Sequence, residues 1–147
     1  MSKKTLCGIA VCIVLLLCLI LYFRPLPLSD NVSDRSSFIV QITHFDVQDG
    51  EPRLNSNCYD DITREQKRKI LDLTQKYSYQ RTPSTIFSDG TIRSVGNMTV
   101  LIYVSSGEST GNSIYVSDSG QIFIDSKLYK MKNASQFNQQ LEDILKE

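Results

Sequence analysis

Alternating apolar and polar residues mark several strands along this chain. Residues 38–42 alternate in this way, and so do residues 98–104, 114–116 and 122–124. A period of two is typical of strands with one buried face. A Gly/Ser-rich stretch at 105–112 and the turn at 118–120 separate the later strands, so the pattern predicts consecutive antiparallel hairpins. The parity expected to face a core is Met98, Val100, Ile102, Ile114, Val116, Ile122 and Ile124.

A helical period replaces the alternation in two segments. In residues 60–78, Thr63 and Gln66 fit a capping box, and one side carries the apolar residues Ile62, Ile70, Leu73 and Tyr77. The C-terminal segment begins at Asn133 or Ser135 and is apolar at Phe137, Leu141, Ile144 and Leu145. With residues 46–59 interpreted as a loop, the order is β-α-β-β-β-α. It predicts an α+β domain with two helices on one face of an antiparallel sheet.

The first 24 residues have a different pattern, with Lys3 and Lys4 before an uncharged apolar run over 5–23 and Arg24 after it. As a helix this run would be about 28 Å long, close to the roughly 30 Å core of a bilayer. It therefore predicts a transmembrane helix that meets the membrane through residues 5–23. Its length, and the lack of a small-x-small site after it, favour an uncleaved signal anchor over a cleaved signal peptide.

The charges beside this run predict how the chain is placed. Lys3 and Lys4 favour a cytoplasmic N-terminus, so the expected location is the cell membrane, single-pass, with the C-terminal domain extracytoplasmic. Two prolines and several serines in residues 25–37 are typical of a linker. The predicted division is a cytoplasmic tip and anchor over 1–24, a linker over 25–37 and one domain over 38–147.

Charge and cysteine content narrow the class of protein. The chain has 16 basic and 16 acidic residues, and the part beyond Lys3 and Lys4 is weakly acidic, which argues against nucleic acid as a partner. Cys58 is the one cysteine outside the apolar run, so the domain has no second cysteine for an internal disulfide. This favours a bacterial surface over an animal one. A bridge between two chains through Cys58 stays open.

No catalytic, metal-binding or cofactor motif stands out in the sequence. His44 is the single histidine and continues the parity of the buried strand residues, which favours a partly buried structural histidine. A pair of Cys58 with His44 would imitate a thiol–imidazole site, without support from the neighbouring sequence. The run at 46–52 resembles a calcium loop but lacks ligands at the required spacing. We therefore expect no catalytic residues, no metal and no cofactor.

The second face of the predicted sheet carries the candidate binding residues. The parity opposite the core has Leu101, Tyr103, Tyr115 and Phe123, where a sheet with one buried face normally has polar residues. One interpretation is structural, with cross-strand aromatic pairs or a covering loop. The other is a partner or ligand surface. Arg81, in the hydroxyl-rich loop at 79–85, is a further candidate because an arginine among hydroxyls suits a carboxylate or phosphate. The favoured alternative is that Arg81 pairs with an acidic side chain while the hydroxyls cap a turn.

Residues 77–87, 96–104 and 114–137 (YSYQRTPSTIF, GNMTVLIYV and IYVSDSGQIFIDSKLYKMKNASQF), behind an N-terminal apolar segment, carry a resemblance to a known group. The chain resembles small membrane-anchored extracytoplasmic proteins of Clostridia and related Gram-positive bacteria. The resemblance covers about residues 38–146. It implies a Gram-positive surface location and supplies no activity.

The function predicted from these observations is a non-catalytic, extracytoplasmic binding module for a protein or envelope ligand. Its expected binding residues are Tyr103, Tyr115, Phe123, Leu101 and Arg81. Two alternatives remain: a surface immunity or inhibitor protein, and a cell-surface hydrolase that uses Cys58 or an acidic pair.

Overall fold

A computed structural model describes residues 3–32, 37–48, 51–87, 91, 96–105 and 111–147. Within them the chain forms one sheet of eight antiparallel strands, in the order β1-β4-β8-β7-β6-β5-β2-β3. The strands are β1 Pro25–Pro27, β2 Ser37–Gln48, β3 Glu51–Tyr59, β4 Ser78–Gln80, β5 Met98–Ser105, β6 Asn112–Ser117, β7 Gln121–Ile124 and β8 Lys127–Met131.

Four α-helices accompany the sheet in the described residues: α1 Lys3–Tyr22, α2 Arg64–Lys76, α3 Pro83–Ile86 and α4 Ala134–Lys146. A 3-10 turn covers Leu28–Asn31. The α+β class is confirmed, but the predicted order β-α-β-β-β-α is wrong, because it has too few strands and helices. The main error is the loop expected at 46–59. Its exposed residues lack an apolar alternation, yet Glu51–Tyr59 pair with β2 over their whole length.

The predicted membrane anchor is also corrected. Among the residues that the structure describes, no helix is long and apolar enough to cross a membrane. The N-terminal helix α1 covers Lys3–Tyr22 and is included in this finding. The transmembrane signal anchor over 1–24 is therefore wrong. The single-pass location with an extracytoplasmic C-terminal domain, which depended on that anchor, is wrong with it.

The first helix of the domain starts with the capping box that the sequence predicts. The Thr63 hydroxyl accepts a bond from the Gln66 backbone N–H at 3.2 Å, and the Gln66 side chain accepts one from the Thr63 N–H at 3.0 Å. These reciprocal bonds satisfy donors that a helix start leaves free. Helix α4 begins after Asn133, whose φ is +57°. Gln66 also donates to the last turn of α4, at the Ile144 carbonyl, so the two helices lie side by side.

The core lies between these two helices and one face of the sheet, which we call the inner face. The strand parity predicted to be buried is buried, and Val100, Ile102, Ile114, Val116 and Ile122 are 0 % exposed. Ile70 from α2 and Phe137 from α4 pack in the same cluster. Burying each such side chain contributes about 1.5–3 kcal/mol. Helices α2 and α4 therefore both contribute side chains to the core on the inner face.

Residues 25–32, part of the predicted linker, contribute to this core. Pro25–Pro27 form β1, which pairs with β4, and Leu28 is 0 % exposed. The Leu28 N–H donates to the Tyr77 carbonyl at 3.0 Å. Proline and serine content suggested a linker, but Leu28, together with the half-buried Leu26 and Val32, packs this part of the segment on the core.

Candidate binding surface

The structure brings together four of the five predicted binding residues on the outer face of the sheet, the face opposite α2 and α4. Cross-strand register aligns Leu101, Tyr115 and Phe123 on three neighbouring strands. The same row continues to Leu128 on β8 in one direction and to Gln41 on β2 in the other. Tyr103 lies in the next row, between Ile39 on β2 and Ser113 on β6.

These side chains differ strongly in exposure. Tyr103 is 48 % exposed and its neighbour Ile39 is 43 % exposed, whereas Phe123 is only 8 % exposed. Leu101 and Tyr115 are half-buried. The accessible part of the face is therefore centred on Tyr103 and Ile39. Ile39 was missed at the sequence level, although its parity in β2, opposite to Phe38 and Val40, was a sufficient signal.

Tyr115 and Phe123 pack against each other within their row. Their ring centroids are 6.5 Å apart and the planes meet at 80°, an edge-to-face arrangement that aromatic rings favour. Burial raises the pKa of Tyr115, a hydrogen bond with Thr99 lowers it, and the charge of Asp118 raises it, with a net upward shift. Tyr115 therefore stays a neutral phenol at physiological pH. We call Ile39, Leu101, Tyr103, Tyr115 and Phe123 the sheet-face surface.

Arg81 is not part of this surface. Its guanidinium lies 5.0 Å from the centroid of the Tyr22 ring, and its Nη1 donates to the Tyr22 carbonyl at 3.2 Å. It also lowers the pKa of Tyr129, while burial raises that pKa and dominates. Tyr129 pairs with the core residue Ile122, so it belongs to the inner face. Arg81 thus holds the end of α1, and the predicted binding role of its loop gains no support from this geometry.

A charged cluster on the inner face links β2 to α4. Glu142 Oε1 lies 3.0 Å from His44 Nε2 and 2.7 Å from Lys146 Nζ. Burial raises the pKa of Glu142, but the hydrogen bonds from Lys146 and His44 outweigh it and lower the pKa below the usual range. His44 lies on the inner face, as its strand parity predicts, but its partner Glu142 lies 98 residues further on and has no local signal in the sequence.

The structure separates the two groups of the considered thiol–imidazole pair. Cys58 pairs with Gln41, in the row that includes Leu101, so its side chain belongs to the outer face. His44 lies on the inner face beside Glu142. Side chains of opposite strand parity lie on opposite sides of a sheet. A hydrolase site made from Cys58 and His44 is therefore not formed.

The described residues form no metal site, and the cleft beside α2 and α4 lies apart from the sheet-face surface. In the described parts of the chain, no three His, Cys, Asp or Glu side chains come together to hold a metal ion. A cleft of about 340 Å³ opens between the end of α2 and the start of α4. Its polar lining consists of Lys76, Tyr77, Ser78, Lys132, Asn133, Gln136 and Gln140, and it shares no residue with the sheet-face surface.

No protein-family model matches this chain, and neither a curated protein nor a solved structure shows significant similarity to it. The resemblance to small proteins of Clostridia therefore stays a prediction.

Proposed function

We propose that the domain is a non-catalytic protein-binding module whose ligand contacts the sheet-face surface. The observation that carries this proposal is the pair Ile39 and Tyr103, which are direct cross-strand neighbours and both more than two-fifths exposed. Exposed apolar and aromatic side chains that adjoin one another are typical of binding sites. Aromatic residues in particular are enriched where proteins meet.

The residues in the row beside this pair favour a rigid binding surface. Leu101 and Tyr115 are half-buried neighbours of the exposed pair, and Tyr115 leans edge-on against Phe123. All five residues lie on strands, whose backbones are fixed by hydrogen bonds on the sheet. A preformed surface loses little conformational entropy on binding. A protein segment with apolar or aromatic side chains fits this chemistry, since the surface itself carries no charge.

Selection of peptides from a random displayed library against the full chain would test the proposal. Peptides that bind the wild type are then measured against Tyr103→Ser. Truncating a central interface aromatic often costs about 2 kcal/mol or more, so we expect a loss of roughly thirtyfold in affinity. Tyr103 is the better probe than Tyr115 or Phe123, because those two pack on each other and their removal would also lower stability.

Phe87→Ser is the matched control for this experiment. Phe87 is 82 % exposed and lies outside the sheet-face surface, so its removal takes away an exposed aromatic ring of similar size. We expect this variant to bind the selected peptides as the wild type does. Equal affinity of wild type and Tyr103→Ser, with both folded by circular dichroism, would show that the ligand surface lies elsewhere.

A further inference from the structure

The two edges of the sheet differ in their capacity to accept another strand. One edge is β1, whose three residues include Pro25 and Pro27. Proline has no N–H to donate, and edge prolines are a common device against edge-to-edge pairing. The other edge is β3, which spans nine residues and is exposed along its length except at Tyr59. Its second half, residues 55–59, has no charged side chain.

The hydrogen-bond alternation identifies which groups of β3 are directed outward. The Phe45 N–H donates to the Asn97 carbonyl at 2.8 Å, so Phe45 turns its backbone groups toward β5. Successive residues of a strand alternate in this direction, so His44 turns toward β3 and bonds its register partner Asn55. Asn55 therefore uses its groups within the sheet. The N–H and C=O groups of Leu54, Ser56 and Cys58 are directed away from it.

We propose that this edge binds a second copy of the same chain, with two β3 strands antiparallel about a twofold axis at Ser56. In this register Leu54 of each copy lies opposite Cys58 of the other, and Ser56 lies opposite Ser56. Leu54, Ser56 and Cys58 of each strand then pair with one another, and the fourth outward-directed residue, Pro52, which has no N–H to donate, lies beyond the paired segment. A symmetric pairing of this kind is the usual form of a homodimer interface.

The side chains of β3 complement one another in this register. On the outer face Leu54 meets Cys58 of the second copy, two apolar side chains that are exposed in the single chain. On the inner face Arg53 comes opposite Tyr59 of the second copy, a favourable cation–π pair. Ser56 is already held on its own sheet, because its hydroxyl bonds Gln41 at 2.8 Å and Thr43 at 3.1 Å. Because each Ser56 hydroxyl already has partners on its own sheet, placing the two serines opposite each other leaves neither hydroxyl without a hydrogen bond.

Disulfide trapping of the full chain tests both the contact and its register. Cys7, Cys12 and Cys18 are first replaced by serine, so that Cys58 is the remaining thiol, and Leu54→Cys is then added. Copper(II)–phenanthroline in air is the oxidant and takes two electrons from each pair of thiols, which release two protons as the S–S bond forms. We expect Leu54→Cys to give a covalent dimer and its parent, with Cys58 alone, to give none.

The geometry explains why the parent should not be trapped. In the proposed register the two Cys58 residues are displaced by about 13 Å along the strands, four steps of about 3.3 Å. A disulfide needs Cα atoms within about 7 Å, so neither Cys58 with Cys58 nor residues 54 and 58 of one chain can join. A dimer that forms in the parent would overturn this register. Absence of any dimer from Leu54→Cys would overturn the proposal.

Ser56→Pro and Ser56→Ala, each in the Leu54→Cys background, separate edge pairing from other association of the chains. Both changes remove the serine hydroxyl and its bonds to β2, but only proline removes the outward N–H. Two hydrogen bonds are lost per dimer, so we expect an apparent association constant about thirtyfold lower for Ser56→Pro than for Ser56→Ala. Equal trapping of the two variants, both folded by circular dichroism, would contradict the proposal.

Discussion

Arg81 and Tyr22 join the first helix of this protein to its domain. The guanidinium lies 5.0 Å from the centroid of the Tyr22 ring and donates from Nη1 to the Tyr22 carbonyl. Tyr22 is the last residue of α1, where backbone carbonyls have no partner within the helix and the dipole favours positive charge. One side chain therefore both satisfies a carbonyl at the end of the helix and packs on its terminal ring.

Arg81→Ala should loosen the end of α1 without unfolding the domain. The cation–π contact and the hydrogen bond are exposed, so together they contribute about 1 kcal/mol, which corresponds to roughly fivefold faster amide exchange. Hydrogen exchange at the Phe23 amide, which bonds the Leu19 carbonyl, measures this effect. Arg81→Lys is the control, because it keeps the charge but not the planar group. Unchanged exchange in Arg81→Ala would show that the contact does not hold the helix.

Leu28→Ala should destabilise the domain by about 2–5 kcal/mol, the range for emptying a buried leucine site. Leu28 is 0 % exposed, although it lies within a segment of linker composition. Chemical denaturation followed by circular dichroism gives the free energy of unfolding. Ile39→Ala is the matched control, because Ile39 is 43 % exposed and we expect a loss of less than about 1 kcal/mol. A loss at Leu28 as small as the loss at Ile39 would mean that residues 25–32 are not part of the core.

Glu142 should make stability depend on pH in the acid range. Its pKa in the folded chain is lowered from the ordinary 4.5, since the bonds from Lys146 and His44 outweigh the effect of burial. A carboxyl with a lowered folded pKa contributes stability above its unfolded pKa and loses that contribution as the pH falls through the folded value. We expect Glu142→Gln to cost about 1–3 kcal/mol at pH 7.

The difference between wild type and Glu142→Gln should shrink as the pH falls below 4.5, which unfolding curves at several pH values would measure. Asp143→Asn is the control on the same helix, because Asp143 is exposed. This variant should cost less than about 0.5 kcal/mol at pH 7, the usual size of an exposed substitution. A cost of Glu142→Gln that stays the same from neutral to acid pH would contradict the ion-pair explanation.

Gly96→Ala should be destabilising because of both backbone and space. Gly96 has φ +68°, and an added Cβ would lie 1.6 Å from Asp118 Oδ1. Asp118 would have to move, although its carboxylate accepts bonds from the Asn97 and Met98 backbone N–H groups at 3.1 Å. The left-handed conformation alone costs about 1–2 kcal/mol for alanine, and the lost bonds add to it.

A double-mutant cycle with Asp118→Ala separates these two causes. Alanine at 118 removes the clashing atoms, so we expect Gly96→Ala to cost less in that background than in the wild type, in thermal unfolding. Additive costs of the two substitutions would show that the carboxylate does not restrict position 96. The strain of the positive φ would then be the whole effect.

The parts of the fold that the sequence predicts correctly depend on residues that lie close together in the chain. The inner parity of β5, β6 and β7 was predicted correctly, because burial of one face imposes an alternation that each strand displays by itself. The capping box of α2 was found for a similar reason, since Thr63 and Gln66 are three residues apart and interact within one turn. Both signals are local.

Strand β3 shows the limit of this approach. Its sequence, EPRLNSNCY, has no apolar alternation, because nearly all of its side chains are exposed. The strand exists because its backbone pairs with β2 along its whole length. The side-chain bonds that accompany this pairing, from Ser56 to Gln41 and Thr43, join residues 15 and 13 positions apart and leave no local pattern. Strand β1 likewise is a strand because it lies beside β4.

For the candidate site, the sequence by itself determined that Leu101, Tyr103, Tyr115 and Phe123 share the outer face, because strand parity decides the side on which each residue lies. Only the tertiary structure decided that Phe123 is covered while Tyr103 and Ile39 are exposed. It also assigned Arg81 to Tyr22 and separated His44 from Cys58. The physical reason is that alternation is a local property of each strand, whereas coverage and partners depend on strands and helices that are distant in sequence.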